Sequence, residues 1–340
     1  MTGPGRRGYI DDMLLLPSLL ALACTPKTPA GDDTAPVRSP GTDQAITAFD
    51  QEYLYYSDAE NRRQVDVQVD FPDSSTTYSA ITGHFRLDCP HDLCDWWDRY
   101  GTFGIVLGPG TADERYVELD RFITAYRVGY GWDADLTALR PLLTGTQTLR
   151  VFVDTWVGEG SSNGDGWLFT ATMDFTGGDP PSPEPVAVEP VWGHLSWNAG
   201  RDDQPVESQV VPQTVELPTD LSQVTFRSFI TGHGWDNTQN CAEFCAKTHY
   251  FEVAGTELSR QVWRDDCNQT ATDGVQQGTW KYDRAGWCPG AAVLPWDSDV
   301  TAAVAAGGPV DLSYHLEDFS WAGDGDQPYY YVSGLLLKYR

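Results

Sequence analysis

From residue 45 onward, apolar and polar positions alternate along much of the chain. The stretches Gln64-Val65-Asp66-Val67-Gln68-Val69-Asp70, Thr148-Leu149-Arg150-Val151-Phe152-Val153-Asp154 and Gln209-Val210-Val211 place apolar side chains on every second residue. That is the period of a strand with one buried face. Two segments interrupt the pattern. Residues 25–43 (TPKTPAGDDTAPVRSPGTD) are rich in Pro, Thr, Gly and Asp without periodicity, which predicts an extended tether over 24–44. Residues 177–185 (GGDPPSPEP) exclude regular structure, so the expected domains are 45–177 and 187–340, joined by a linker over 178–186.

The two halves resemble each other. Ile81-Thr82-Gly83-His84, followed by Cys89 and Cys94, is answered by Ile230-Thr231-Gly232-His233, followed by Cys241 and Cys245. Trp132-Asp133-Ala134-Asp135 is answered by Trp296-Asp297-Ser298-Asp299. The first match is offset by 149 residues and the second by 164, so the second half carries an insertion between them, containing Cys267 and Cys288. Each half then closes with an apolar strand, a Gly/Asp-rich loop and another strand. The expectation is a duplicated β-domain, each copy a two-sheet sandwich.

Ahead of the tether, residues 13–23 (MLLLPSLLALA) form an apolar run of 11 residues that ends at Cys24. A helical span needs about 20, so this length suits a signal peptide over 1–23. The ending Leu20-Ala21-Leu22-Ala23-Cys24 is similar to a bacterial lipoprotein signal, in which the cysteine receives lipid and becomes the mature N-terminus. The chain is thus expected to be exported, as an outer-membrane lipoprotein facing the periplasm or the cell surface, with plain secretion as the alternative.

Composition sharpens the class. Thirty-three Gly, 22 Pro, 13 Trp and 16 Tyr in 340 residues favour short strands and many turns, an all-β chain. Forty-nine acidic against 22 basic residues leave a net charge of −27, which excludes a nucleic-acid partner. Export permits disulfides, and the cysteines pair over short loops: Cys89 with Cys94, Cys241 with Cys245, and Cys267 with Cys288, leaving Cys24. The spacings of the first two pairs lack the tight C-x2-C of zinc knuckles.

Three cysteine-anchored segments carry a resemblance. Asp88-Cys89-Pro90-His91-Asp92-Leu93-Cys94-Asp95-Trp96-Trp97-Asp98-Arg99-Tyr100, then Gly232-His233-Gly234 through Cys241-Ala242-Glu243-Phe244-Cys245 to His249, then Trp280-Lys281-Tyr282-Asp283-Arg284-Ala285-Gly286-Trp287-Cys288-Pro289-Gly290, resemble the peptide-N-glycosidase F family. The resemblance spans residues 49–339. It implies two tandem antiparallel eight-stranded jelly rolls, the architecture shared with copper type II monooxygenases. It implies an amidase that cleaves between asparagine and the first N-acetylglucosamine of N-glycans or glycopeptides without metal or other cofactor; the chain is expected to be a monomer.

Residue by residue, the resemblance implies that Asp98 is the principal catalytic aspartate and Glu243 a second essential carboxylate. Arg99 and Arg284 match basic residues near them, and Trp156 an aromatic lining the sugar cleft. Asp154 stands where the family carries Glu, and His233 near a position where an aromatic is expected. Trp235 joins Trp156 as a candidate for stacking on sugar rings. Two other readings share parts of this pattern. A copper monooxygenase would need several His and a Met ligand, whereas His84, His91, His194, His233, His249 and His315 include no adjacent pair and only Met173 follows the leader. A non-catalytic glycan-binding lipoprotein would account for the tryptophans and the acidity alone.

Overall fold

The computed structural model describes residues 38–273 and 279–340. The expected signal peptide, its lipidated Cys24 and the tether up to residue 37 lie outside them. Sixteen strands build two jelly rolls. The first comprises β1 (Gln44–Tyr56), β2 (Gln64–Phe71), β3 (Thr76–Asp88), β4 (Tyr100–Leu107), β5 (Arg115–Ile123), β6 (Tyr130–Asp135), β7 (Gly145–Val153) and β8 (Trp167–Gly177). The second comprises β9 (Pro185–Asn198), β10 (Gln213–Leu217), β11 (Gln223–His233), β12 (Lys247–Val253), β13 (Thr256–Val262), β14 (Trp296–Asp299), β15 (Gly308–Leu316) and β16 (Tyr329–Tyr339).

The sheets run β1-β8-β3-β6 and β2-β7-β4-β5 in the first jelly roll, and β9-β16-β11-β14 and β10-β15-β12-β13 in the second. Each strand therefore has a counterpart eight places later. All pairings among these strands are antiparallel. The alternation does what its period dictates. Phe103, Ile105, Leu149, Val151, Trp167 and Phe169 fill the first core, and Phe226, Phe251, Tyr314 and Leu336 the second, all buried.

Three expectations need correction. Gln209-Val210-Val211 is not a strand: residues Val206–Gln209 form a helical turn, Val210 drops into the core, and β10 starts only after Pro212. Proline has no N–H to give a ladder, and Gln209 turns its amide back onto the Asn198 and Gln204 carbonyls. The tether is shorter than expected, since Ser39–Pro40 pairs in parallel with Thr76–Thr77 and Asp43 accepts the Gly177 N–H at 2.8 Å. The repeat Ile-Thr-Gly-His lies on counterpart strands but out of register. Thr82 opposes Asp135 and Thr225 opposes Asp299, so the true counterpart of Ile81 is Val224, six residues before Ile230. The Trp-Asp-x-Asp match is in register. The insertion falls between β13 and β14, and the three expected disulfides form.

The jelly rolls join through Tyr100, Ile123, Phe229, Trp287 and Val293, buried together between them. Beside this contact Arg121 and Glu118 form a two-point ion pair, both bonds 2.7 Å and both side chains inaccessible to solvent. Arg121 also donates across the junction to the Tyr331 carbonyl at 2.8 Å and the Thr231 hydroxyl at 3.2 Å. Removing one partner of a buried pair strands the other charge, at a cost of about 3–5 kcal/mol. Arg121→Met should therefore lower the urea unfolding free energy by that order; a loss near zero would show that the pair does not hold the junction.

Candidate active site

The cleft between the jelly rolls is built from counterpart connections. The β3–β4 and β11–β12 loops each carry a disulfide and each deliver one carboxylate, Asp98 from the first and Glu243 from the second. The β5–β6 connection delivers Tyr126, and its counterpart, the insertion, delivers Arg284 and Trp287.

The stapled loop that presents Asp98 is locked against the β7–β8 loop. Asp165 N–H donates to the Leu93 carbonyl at 2.8 Å and Trp96 N–H to the Asn163 carbonyl at 3.1 Å. Gly164, at φ +104°, permits this approach, because a Cβ there would overlap the Cys94 carbonyl. Asp95 is the pin: fully buried, it accepts from Arg99 Nε at 2.7 Å, Thr155 Oγ1 at 2.7 Å and Trp97 N–H at 3.1 Å. Arg99, expected to serve the cleft, spends its guanidinium on Asp95. On the other side, Glu243 N–H donates to the Gly234 carbonyl at 3.1 Å and its carbonyl accepts the Ala285 N–H at 2.9 Å, which ties the insertion to the second stapled loop.

Arg284 connects the two halves of the site. Its Nη1 donates to Asp98 Oδ2 and to Glu243 Oε1, each at 2.9 Å, and the residue is wholly buried. The guanidinium is held by the Tyr282 carbonyl at 3.2 Å and by the Thr279 hydroxyl and carbonyl, and it packs on the Phe244 and Trp287 rings at 4.8 and 4.5 Å. Tyr126 donates a 2.7 Å hydrogen bond to the same Oδ2 of Asp98, so Oδ1 keeps its capacity to accept.

The two carboxyls differ in setting. Burial pushes Glu243 up to about 8, with the Asp98 and Asp326 charges adding and Arg284 opposing. Asp98 is the more exposed of the pair. Asp154 lies at the end of β7 and pairs with Arg63 at 2.9 Å instead of joining the Arg284 bridge; burial raises its pKa while Arg63 and Arg99 lower it. Arg63 in turn covers Trp156 at 4.1 Å from its ring centre, and Trp156 remains 52% exposed, as Trp235 is at 53%.

Asp98, Glu243, Trp235, His233, Trp287, Tyr329 and Asp326 line a cleft of 440 Å³. His233 is stacked between Trp287 and Tyr329, 5.4 and 5.3 Å from their ring centres, and burial lowers its pKa to about 3. It is a neutral ring at physiological pH and fills the place of the expected aromatic. The sequence reading missed Tyr126, Tyr329, Asp326, Arg63 and Asp95. Only Asp95, inside the first cysteine motif, carried a signal. The six histidines do not converge, and among the described residues no cluster of three or more His, Cys, Asp or Glu is placed to hold a metal ion.

An open cleft with aromatic walls, in which one arginine bridges two carboxyls and burial raises one of them, is an arrangement capable of acid/base chemistry. Residues 203–337 match the family model described as Peptide-N-glycosidase F, C terminal. Over 278 residues the chain is 27% identical to peptide-N(4)-(N-acetyl-beta-D-glucosaminyl)asparagine amidase F of Elizabethkingia miricola, across 78% of this chain and 76% of that protein. The fold matches PNGase F, a glycosylasparaginase from Flavobacterium meningosepticum, with a TM-score of 0.74 at 25% identity, over 88% of this chain and 96% of that one. PNGF-II shares the fold with a TM-score of 0.68 at 18% identity, over 88% of this chain and 65% of that one. The chain is thus similar in sequence and fold to proteins of the peptide-N-glycosidase F family, the resemblance that its cysteine-anchored motifs carried.

The raised Glu243 carboxyl gives a stability signature. Unfolded, Glu243 titrates near its ordinary 4.5; folded, near 8, so the native state holds an extra proton between these values. Its contribution is full below about 4.5 and is lost as pH rises through about 8. Between those limits the melting temperature of the native protein should fall relative to that of Glu243→Gln. Curves that stay parallel would show that Glu243 is ionised in the fold.

Proposed function

We propose that this protein is an exported amidase that hydrolyses the bond between asparagine and the first N-acetylglucosamine of N-glycoproteins or glycopeptides, working as a monomer. Relationship to PNGase F supports N-glycan amidase activity. The observation that carries the reading on this chain's own residues is the Asp98–Arg284–Glu243 bridge inside an aromatic-walled cleft.

Amide hydrolysis requires a water made nucleophilic, a proton for the departing nitrogen and control of the charge between them. Asp98 takes the proton from water through the free Oδ1, while Oδ2 stays fixed by Arg284 and Tyr126. Glu243, protonated near neutrality, gives its proton to the amide nitrogen. The products are an aspartate in the polypeptide and a glycosylamine. Arg284, bonded to both groups, stabilises the Asp98 carboxylate before the transfer and the Glu243 carboxylate after it. Trp235, exposed in the cleft lining, offers its ring to sugar, while Trp156, covered by Arg63 from the Asp154–Arg63 pair, stands outside that lining.

Incubation with a glycopeptide should convert the glycosylated Asn to Asp, seen by mass spectrometry. Asp98→Asn, folded by circular dichroism, should lower kcat by about 100-fold or more; full activity would remove Asp98 from the chemistry. In the expected lipoprotein arrangement, the mature terminus is lipid-modified Cys24. Intact-mass analysis of the membrane fraction should find that adduct, and an unmodified terminus there would replace anchoring with simple secretion.

A further inference from the structure

The β7–β8 loop, which grips the loop presenting Asp98, contains Asn163-Gly164, the one Asn-Gly pair in the 340 residues. Asn163 is exposed. Among the described residues its side-chain amide has no hydrogen-bond partner, and neither has the Gly164 N–H. Two Asp-Gly pairs with the same disposition of groups are held instead. The Asp165 carboxyl, ahead of Gly166, is buried, accepts the Gly160 N–H at 3.2 Å and lies 3.0 Å from His91 Nδ1. The Asp324 carboxyl, ahead of Gly325, accepts from the Thr238 hydroxyl. Of the three, only the side chain at residue 163 is free to fold back on its own backbone.

The surroundings make this residue matter. The Asn163 carbonyl accepts the Trp96 N–H at 3.1 Å, and the Asp165 N–H donates to the Leu93 carbonyl at 2.8 Å, so the residues on both sides of Gly164 are bonded to the stapled loop. Gly164 lies between them, so close to Cys94 that an added Cβ would overlap the Cys94 carbonyl. Two bonds and one contact therefore fit a single length of backbone, and Asp98 stands two residues beyond Trp96.

We propose that Asn163 is a site of spontaneous deamidation, and that its isoaspartyl product releases the loop that presents Asp98. The Gly164 nitrogen gives its proton to hydroxide and bonds to Asn163 Cγ; the Cγ–Nδ2 bond breaks, and ammonia leaves with a proton from water. A second water opens the resulting succinimide at one of its two carbonyls. Opening at Cγ gives aspartate and leaves the main chain unchanged. Opening at the main-chain carbonyl gives isoaspartate: that carbonyl leaves the main chain as a carboxylate, and the link from residue 163 to Asp165 runs through Cβ and Cγ, one carbon longer. The Trp96 and Leu93 bonds then no longer fit at their present spacing. The amidase reading supplies the kinetic readout of this change, while the modification and the release are read without it.

The purified native protein is held for days at mildly alkaline pH and body temperature. Peptide mapping should find the mass gain of amide-to-acid conversion at residue 163 ahead of every other asparagine, chiefly as isoaspartate, and hydrogen exchange should show the Trp96 N–H losing protection in the converted fraction. Glycopeptide cleavage should fall in step with that fraction, each converted molecule losing about 100-fold in kcat, the cost of misplacing a reacting group by about an ångström. Asn163→Gln, whose longer side chain closes its ring far more slowly, should keep its activity over the same period. Asn163→Asp, assayed fresh, should match the native protein, since it has the new charge without the added carbon. An unconverted residue 163, or earlier conversion at another asparagine, overturns the site. Isoaspartate that accumulates with Trp96 still protected, or an inactive Asn163→Asp, overturns the release. If conversion and loss of protection occur while neither form cleaves glycopeptide, the inference stands and the amidase reading fails.

Discussion

A single buried cation decides the layout of this protein. Arg284 has no access to solvent, and its charge is met by Asp98 from the first jelly roll, while Glu243 from the second, the Tyr282 carbonyl and Thr279 accept from the same guanidinium. An isolated ion in such a setting would cost far more than the fold can supply. Both side chains have to reach the guanidinium, each at 2.9 Å, for it to be satisfied in the fold. Most of what surrounds them serves that demand: two stapled loops, a buried Asp95 that pins one of them, and backbone bonds that clamp residues 284–286 to the end of β11. The same burial raises the Glu243 carboxyl, so what organises the cleft also sets the protonation of one of its acids.

The division of labour follows the duplication. Counterpart loops supply Asp98 and Glu243, and counterpart loops supply Tyr126 and Arg284. Symmetry, however, ends at the third connection. Six residues join β5 to β6, whereas β13 and β14 are joined by residues 263–295, braced by the Cys267–Cys288 bridge. The shorter connection can only lay a hydroxyl on Asp98. The longer one carries a guanidinium into the cleft and backs it with Trp287. Two similar sandwiches thus make one asymmetric site, in which each carboxylate has a different degree of burial.

Much of this was legible in the sequence, and the reasons for what was not are physical. Period-2 alternation marked β2 and β7, since each buries one face. It misled at Gln209-Val210-Val211, where two adjacent valines before a proline imitate a strand end but one of them is only an anchor for a helical turn. The Trp-Asp-x-Asp match revealed true counterparts because that segment sits on an edge strand held in fixed register. Ile-Thr-Gly-His did not, because an even shift of six residues keeps every side chain on the same face and leaves the pattern intact. Asp98, Glu243 and Arg284 were found through cysteine motifs. Arg99 turns to a framework partner, Asp95, because standing beside Asp98 in sequence does not fix which way a side chain points. Tyr126, Tyr329 and Asp326 gave no linear signal, as only the meeting of distant loops brings them to the cleft.

His233 carries a consequence of another kind. Held between Trp287 and Tyr329 and unable to take a proton until conditions are strongly acidic, it has given up the property that usually distinguishes histidine. The Thr231 hydroxyl lies 3.0 Å from its Nε2 and fixes how the ring is turned, which an all-carbon ring could not feel. The wall of the cleft therefore keeps its shape and its neutrality across the whole range in which Glu243 titrates. The shape of that wall is in this way insulated from the titration of the Glu243 carboxyl that lines the same cleft.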